Sequence, residues 1–530
     1  MIERKIQTEA FWHQEFAVTD QDMADLEELF LEEHRPMTVS ELARSLVVSY
    51  CQREESLIQR QLAKGTVYRP NASFEIGEQL VFPHLEFALG TVVSVRDGHN
   101  PEYDDFKVVS VKFDDGKQGK QREFAAELKE PHKLAFSNES SWAEALVLSP
   151  DFLWDSYGKV VSARLVERFQ SESDLVHFRG QWLPKDMAVD VHIGLLNIAE
   201  AMLDMQGHPL PPQQLLSELD LPKEVPERVK VFSLNTVMSQ DKRFGDVGDD
   251  QQVVWGLRRW MPAAATAVPA RLHYEPVPYD RTCLDVTHLQ LEREIDDEAS
   301  QLIAPPTAAS ATDLTLLLTY PHWRVGSLSL TARSEVFFPG GTADQRTQIT
   351  FLDRANQKQF PGWVVHGHRY VFGLAEWYES NNIPVGAFVK LERTDDPHTV
   401  AIDFIPRRMQ REWTRMIARN ADGGLGLTMQ KRPVACEYDD LCLLDEPDRA
   451  IGDALWQATQ ENDQPLDALI KSVFLELAKL TPIVTVHAKT LYVAVNVVKR
   501  CPPGLVFSTL FRRPEFVTTG DGYWVFQGEV

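Results

Sequence analysis

The 530-residue chain has few cysteines, a deficit of basic residues and no long apolar run. The cysteines are odd in number and scattered, so they indicate neither a disulfide framework nor a zinc site: Cys51, Cys283, Cys436, Cys442 and Cys501. No apolar run approaches the roughly 20 residues that a membrane span needs, and the first residues lack the apolar core of a signal peptide. We therefore expect a cytoplasmic protein without a membrane partner.

The charge balance is strongly acidic, with 54 Lys and Arg against 78 Asp and Glu and a net charge of −24. A protein that coats nucleic acid without sequence preference needs an excess of basic residues to release counterions. The composition argues against that class. Local basic clusters can still bind DNA, with modest affinity and a steep salt dependence.

Motifs for catalysis are missing as well. His366-Gly367-His368 has no third ligand nearby in the sequence, and 423–426 (GGLG) lacks the Lys-Ser/Thr of a phosphate loop. The runs at 296–298 and 439–440 are charge runs rather than spaced acid pairs. We therefore predict no catalytic residues, no metal and no cofactor, and the chain is not expected to be an enzyme.

The most informative stretch is 229–260. Apolar residues at helical spacing end at a charged turn, and Phe244, a Gly/Asp-rich turn and Trp255 then follow in the pattern of a β-hairpin. A helix followed by a hairpin is the second half of a winged helix. The same device closes the chain at 506–527, where Phe516 and Trp524 take the places of Phe244 and Trp255.

Helical segments precede both copies, and in this order the pattern resembles the HARE-HTH winged-helix family, which includes the N-terminal domain of the RNA polymerase delta subunit. The resemblance is carried by Leu234, 241–244 (DKRF), Gly248 and 255–257 (WGL), and it covers about a quarter of the chain. It implies a DNA-binding or polymerase-binding role.

Two further segments resemble known domains. Five short strands starting at residue 74 resemble small barrels of the Tudor type and the CarD-type RNA polymerase interaction domain, with a purely structural barrel as the alternative. The strand-rich segment 313–406, with Trp363, Trp377 and Gly386, resembles the pseudobarrel DNA-binding domain of plant transcription factors and restriction-enzyme effector domains, with an unrelated β-barrel as the alternative.

The expected fold class is multidomain α+β, with two or three winged-helix domains alternating with small β-barrels. The expected boundaries are 1–70 for a helix-turn-helix or winged-helix-like domain, 71–130 for the small barrel, 131–186 for a mixed connecting region, 187–262 for the HARE-type winged helix, 263–312 for a linker with an acidic helix, 313–406 for the pseudobarrel, 407–462 for a basic helix and acidic linker, and 463–530 for the C-terminal winged helix.

The N-terminal domain is expected to hold three helices, the second capped by Thr38 with Glu41 and the third at 54–63. A plain helical bundle is the alternative there. The basic helix at 407–415 could hold phosphate or could be an ordinary solvated face.

A winged helix places its third helix in the major groove and its hairpin against the backbone. The predicted DNA-binding residues are Gln59, Arg60 and Lys64 in the first domain, Lys230, Asn235, Thr236, Ser239, Lys242, Arg243, Arg258 and Arg259 in the central one, Arg333, Arg346 and Arg354 in the pseudobarrel, and Lys499, Arg500, Ser508, Thr509, Arg512 and Arg513 in the last one.

The sequence thus predicts a transcription-associated protein that binds double-stranded DNA, with RNA polymerase as a further expected partner. The main alternative is an acidic adaptor whose winged helices bind RNA polymerase or another protein. A weaker alternative is the specificity subunit of a restriction or DNA-modification system.

Overall fold

The computed structural model describes residues 6, 8–85, 87–100, 105–113, 121–129, 149–300, 302, 311–462 and 464–528. The chain forms two compact units, Met1–His192 with Asp220–Val237 and Ile193–Leu219 with Met238–Val530. Both units combine helices with sheets, so the predicted multidomain α+β class is confirmed.

Three helices with side-chain caps organise the first unit: α1 (Asp20–Glu33), α2 (Val39–Leu62) and α3 (Pro150–Gln170). Thr19, Thr38 and Ser149 each accept a hydrogen bond from the backbone N–H three residues on, and the first two complete capping boxes. The predicted cap at Thr38 is confirmed. The helices enclose an apolar core that also holds Val229 and Phe232, the part of α6 (Glu227–Gln240) that belongs to this unit.

The prediction of two separate helices after Thr38 is wrong. α2 runs unbroken through residues 48–54, because that stretch contains neither Gly nor Pro and the hydroxyl of its one capping-type residue, Ser49, donates to Asp25 at 3.0 Å. Residues 54–62 are therefore the end of the second helix rather than a third one.

Two sheets complete the first unit. The shorter has the order β1-β8-β7, with β1 (Met37–Thr38), β7 (Leu175–Phe178) and β8 (Gln181–Pro184). The longer is a five-stranded sheet in sequential order, formed by β2 (Thr66–Val67), β3 (Gln79–Phe82), β4 (Ala88–Asp97), β5 (Lys107–Phe113) and β6 (Arg122–Ala126). Of the five strands predicted from residue 74, four are found among the described residues, as β3 to β6; the fifth strand of this sheet, β2, lies before residue 74.

A seven-stranded sheet dominates the second unit, in the order β11-β16-β17-β13-β14-β15-β12. Neighbours are antiparallel except β13 and β17. The elements are β11 (Asp313–Leu317), α9 (Tyr320–Val325), β12 (Ser327–Ser329), β13 (Arg346–Asp353), β14 (Gln359–Val365), β15 (Tyr370–Phe372), α10 (Ala375–Ser380), β16 (Phe388–Arg393) and β17 (Thr399–Phe404). Buried and half-buried positions alternate along β13, the period expected of a strand with one face on a core.

The remaining elements of the second unit lie on both sides of this sheet in the sequence. Before it come α4 (Ile193–Gln206), α5 (Pro212–Leu216), β9 (Phe244–Asp246), β10 (Trp255–Leu257), α7 (Ala263–Thr266) and α8 (Val286–Ile295). After it come β18 (Pro406–Arg419), β19 (Leu425–Cys436), β20 (Leu444–Asp445), α11 (Arg449–Glu461), α12 (Leu466–Ala478), β21 (Val486–His487), α13 (Ala488–Val498), α14 (Pro503–Arg512), β22 (Phe516–Gly520) and β23 (Tyr523–Phe526).

One element order occurs three times along the chain: a helix, a short strand or bridge, two helices and a hairpin. We name these stretches the N-terminal module (α1, β1, α2, α3, β7, β8), the central module (α4, Leu210, α5, α6, β9, β10) and the C-terminal module (α12, β21, α13, α14, β22, β23). In the N-terminal module the five-stranded sheet is inserted between the second and third helices.

The three modules also share a pairing. The short strand or bridge pairs with the second hairpin strand through a buried tryptophan: Met37 with Trp182, Leu210 with Trp255, and Val486 with Trp524. Because register fixes which side chains face the core, a tryptophan at the same pairing position three times indicates one repeated design.

Candidate nucleic-acid interface

In the central module, α6 does not offer the polar surface that was predicted. Asn235 and Thr236 are buried, and the Thr236 hydroxyl donates to the backbone oxygen of Phe232 at 2.8 Å. They lie in a stretch of α6 that is buried without interruption from residue 232 to 236. Of the other predicted helix positions, Lys230 is half-buried and Ser239 is exposed.

The arginines at the hairpin of the central module are held by carboxylates. Arg243 contacts Glu200 and Asp241 at 2.7 Å each, and Arg259 contacts Glu200 at 2.6 Å and also Asp204. Hydrogen bonds from Arg259 and Arg243 lower the pKa of Glu200. Three carboxylates thus surround two guanidinium groups, so this cluster does not attract phosphate by net charge.

Other basic groups of the central module are exposed, among them Arg228 near the start of α6. Lys242 is exposed, and Arg258 is exposed while its Nε donates to the backbone oxygen of Phe244 at 2.7 Å. Since that bond uses one nitrogen of Arg258, its terminal nitrogens, the Lys242 ammonium and the Arg228 guanidinium are exposed groups of this module that could meet a phosphate.

In the C-terminal module the third helix is enclosed rather than presented. α8 and the turn Arg281–Cys283 pack against α14, and Ser508 and Thr509 are fully buried. Both hydroxyls donate to the backbone oxygen of Leu505. The prediction that these two residues face outward is wrong, because α14 packs against α8, α12, α13 and the turn Arg281–Cys283, and all of residues 503–510 are buried.

The basic residues of the C-terminal module are also engaged. Arg500 is only 4% exposed and forms a bidentate pair with Asp297 at 2.7 and 2.8 Å, so it cannot reach DNA. Arg513 pairs with Asp467 at 2.5 Å, and Arg512 lies 3.9 Å from the same carboxylate. Lys499 is half-buried.

The segment 296–298, read from the sequence as a simple charge run, lies in a buried network. Glu298 contacts Arg500 at 2.7 Å and the His322 ring at 2.8 Å, and the Tyr492 hydroxyl donates to Asp297 at 2.6 Å. Burial disfavours the charged form of Arg500, yet the charges of Asp297 and Glu298 raise the pKa of its guanidinium. The network is a structural element of the fold, and none of its members is presented on the surface.

In the N-terminal module, Gln59, Arg60 and Lys64 are exposed at and just beyond the end of α2. The third helix of this module is α3, which the sequence did not identify as such. Its surface is not basic, because its three basic side chains are balanced by three acidic ones, and Phe152 is exposed as well. The charged residues are Asp151, Asp155, Lys159, Arg164, Glu167 and Arg168.

The three arginines predicted in the strand-rich domain are tied to neighbouring groups. Arg333 lies 3.4 Å from Asp296, and Arg354 pairs with Glu392 at 2.6 Å. Arg346 donates to the backbone oxygens of Ala265 and Asp344. These contacts stabilise the local fold, and they leave less of each guanidinium for a ligand.

The densest basic run forms a strand and not the predicted helix. Strands β18 and β19 form a long hairpin that closes through the turn at Asn420–Gly424. The segments next to this turn, 414–418 and 425–427, are buried or half-buried, with Ile417, Leu425 and Leu427 in a large apolar cluster of the second unit. The strand prevails because β18 pairs with β19 from Gln410 to Arg419, and its Met416 and Ile417 are buried against a core.

Beyond these segments the hairpin is largely exposed as far as residue 433, and Val434 and Cys436 at the end of β19 are buried again. We name residues 406–413 of β18 and 428–433 of β19 the basic ribbon. It carries five basic side chains and one acidic side chain, and Met409 and Trp413 are 67% and 59% exposed. Its charged residues are Arg407, Arg408, Arg411, Glu412, Lys431 and Arg432.

Pairing across the basic ribbon places an aromatic ring among cations. Trp413 lies opposite Lys431, whose Nζ is 5.3 Å from the ring centroid, and Arg411 lies opposite Pro433. Residues opposite each other in a ladder share one face, so one face presents Arg411, Trp413 and Lys431. On the other face Arg432 pairs with Asp445 at 2.8 Å.

Other candidate chemistries find little support in the described part of the chain. Within it, no group of three or more His, Cys, Asp or Glu side chains is placed to hold a metal ion. His366 of the His-Gly-His motif instead contacts the Thr347 hydroxyl at 3.0 Å. The helices among the described residues are each too short or too polar to cross a membrane.

Comparison with known proteins gives no match to a protein-family model, to a curated protein or to a solved structure.

Proposed function

We propose that this protein binds double-stranded DNA in a transcription-associated role and that the basic ribbon is its main contact. The observation that carries the proposal is the combination of exposed Arg407, Arg408 and Arg411 with an exposed Trp413 beside Lys431. In a chain of net charge −24, such a concentration of cations on one exposed element favours a polyanionic ligand.

The shape of the ribbon fits the proposal. A two-stranded antiparallel ribbon is narrow enough to enter the major groove of B-form DNA. Arginines on such a ribbon can contact phosphates and base edges, and an exposed aromatic ring adds apolar contact. Buried residues lie on both sides of the ribbon, Ile417 and Leu427 toward the turn and Val434 at the other end of β19. They would hold the exposed part in a fixed orientation and so reduce the entropy lost on binding.

We further propose that the three modules are winged helices, as the sequence resemblance implies. The repeated element order and the tryptophan pairing support this. The exposed groups Lys242 and Arg258 of the central module, and Arg60 and Lys64 of the N-terminal module, are then secondary contacts to DNA. The enclosed third helix of the C-terminal module makes no such contact.

The test is fluorescence anisotropy of the whole protein on a mixed-sequence duplex across a salt series. If about four basic side chains of the ribbon neutralise phosphates, the logarithm of the affinity falls with the logarithm of salt concentration with a slope of about −3 to −4. The triple variant Arg407→Ala, Arg408→Ala, Arg411→Ala should bring that slope to about −1.

The matched control removes the same charge from arginines that are already paired with carboxylates: Arg259→Ala, Arg354→Ala, Arg513→Ala. It should bind DNA nearly as well as the original protein. Absence of binding at low salt contradicts the DNA proposal. Equal loss in both triple variants would instead show bulk electrostatics, and tighter binding to a single strand than to the duplex would contradict the groove geometry.

A second candidate function is a protein adaptor that docks on RNA polymerase, and one observation favours it. The third helix of the C-terminal module is used to pack within its own unit, whereas Ile483 and Tyr523 of the same module are exposed apolar side chains. Binding of purified core RNA polymerase that is lost in Ile483→Asn with Tyr523→Ala, but kept in the ribbon triple variant, would favour the adaptor.

A further inference from the structure

The first unit contains a groove between one face of α1 and the strand ends of the β7–β8 hairpin. Met23, Glu27 and Leu31 line it from α1 at a spacing of four residues, which is one helical face. Leu175 at the start of β7 and Pro184 at the end of β8 form the opposite wall, together with Met187. The cavity measures about 590 Å³.

The floor of the groove is apolar and continuous with the core. Met23, Leu175 and Met187 pack against the buried cluster of this unit, and Leu31 is 58% exposed. A single exposed leucine is ordinary on a protein surface, but here it extends an apolar strip that two methionines share. Methionine side chains adapt to partners of varied shape because they are unbranched and polarizable.

The rim of the groove is acidic. Glu27, Asp174 and Asp186 are exposed around it, and Lys185 is the basic residue that lines it. Glu172 lines it as well and pairs with Arg168 at 2.8 Å. The apolar floor is therefore surrounded by net negative charge, which repels nucleic acid and attracts cationic groups.

We propose that this groove docks a basic amphipathic helix of a partner protein. An apolar stripe at positions i, i+3 or i+4 and i+7 would lie on Met23, Leu31, Leu175 and Met187, and lysines or arginines beside the stripe would meet the carboxylates of the rim. Shape and charge together select this occupant, because the rim would repel an acidic helix and a uniformly polar helix would leave the apolar floor uncovered. The inference does not depend on DNA binding by the basic ribbon.

The experiment measures anisotropy of a labelled synthetic 18-residue helix of leucine and lysine, with its leucines on one face, binding to the full chain at 150 mM salt. A scrambled peptide of identical composition without an apolar face is the ligand control. Two variants test the groove: Leu31→Asn for the floor, and Glu27→Gln, Asp174→Asn, Asp186→Asn for the rim. Each should weaken binding of the amphipathic peptide about tenfold.

The control variant removes three carboxylates of the same unit that do not line the groove: Glu28→Gln, Glu32→Gln, Asp155→Asn. It should bind the peptide as the original protein does. Leu31 and the rim residues are exposed, so their replacement should leave the thermal unfolding curve unchanged, which checks that the fold is intact. Equal binding of scrambled and amphipathic peptides, or equal loss in the rim and control variants, would overturn the proposal.

Discussion

Arg500 offers the sharpest test of how this protein uses charge, because the sequence predicted it as a phosphate contact and the structure buries it. Its guanidinium donates to both carboxylate oxygens of Asp297 and to Glu298, each within 2.8 Å. Arg500→Ala would leave two buried carboxylates without this partner. Breaking a buried ion pair from one side costs about 3 to 5 kcal/mol.

That cost can be converted into a melting temperature. The second unit spans about 320 residues, and at about 2.1 cal/mol/K per residue its entropy of unfolding is about 0.7 kcal/mol/K. Arg500→Ala should therefore lower the melting temperature of this unit by roughly 4 to 8 °C, measured by calorimetry of the full chain. DNA affinity measured well below that temperature should not change.

A compensated variant separates charge from packing. In Arg500→Met with Asp297→Asn and Glu298→Gln, no uncompensated ionised group of this trio remains, so much of the lost stability should return. A shift below about 1 °C for Arg500→Ala, or no recovery in the compensated variant, would refute the reasoning. A loss of DNA affinity for the folded Arg500→Ala protein would contradict the assignment of Arg500 to the core.

Three further predictions concern other parts of the second unit. Burial, with the charge of Lys489, lowers the pKa of His487 to about 4. Because the unfolded state takes up the proton first, the stability of the fold should decrease as pH drops from about 6.5 toward 4. Urea unfolding of His487→Gln should lack this part of the pH dependence. Gly452→Ala should destabilise the protein by about 1 to 3 kcal/mol in the same assay although alanine favours helices, since the added Cβ would lie 1.7 Å from Oε1 of Glu446. Trp413→Ala should reduce DNA affinity, measured by anisotropy, about tenfold. The melting temperature should stay unchanged, because the ring is exposed. An unchanged affinity would show that Trp413 does not contact DNA.

Local signals in the sequence predicted local structure well. The capping box of Thr38 and Glu41 marks a helix start, and the Gly/Asp-rich turns before Trp255 and Trp524 mark hairpins. These features depend on residues within about ten positions of one another, so the chain itself carries the information. The tryptophan pairing of the N-terminal module could not be predicted from the sequence, because the inserted sheet separates the second and third helices of this module.

Features set by distant contacts could not be predicted in this way. The run at 407–415 has polar residues at spacings that suit either a helix or a strand, and only pairing with β19 decides for the strand. Likewise, the polarity of Ser508 and Thr509 suggests exposure, but α8 covers the helix that carries them. Burial of polar residues depends on what packs over them, and sequence periodicity alone does not report this.

The distribution of ion pairs narrows the surfaces that remain for an anionic ligand. A basic residue beside a carboxylate contributes little to phosphate binding, because displacing the carboxylate costs what the phosphate contact returns. This applies to Arg243, Arg259, Arg354 and Arg513. The basic ribbon combines exposed arginines with an exposed aromatic ring on an anchored hairpin. The proposed DNA binding therefore depends on this ribbon, whose residues the sequence wrongly predicted to be helical.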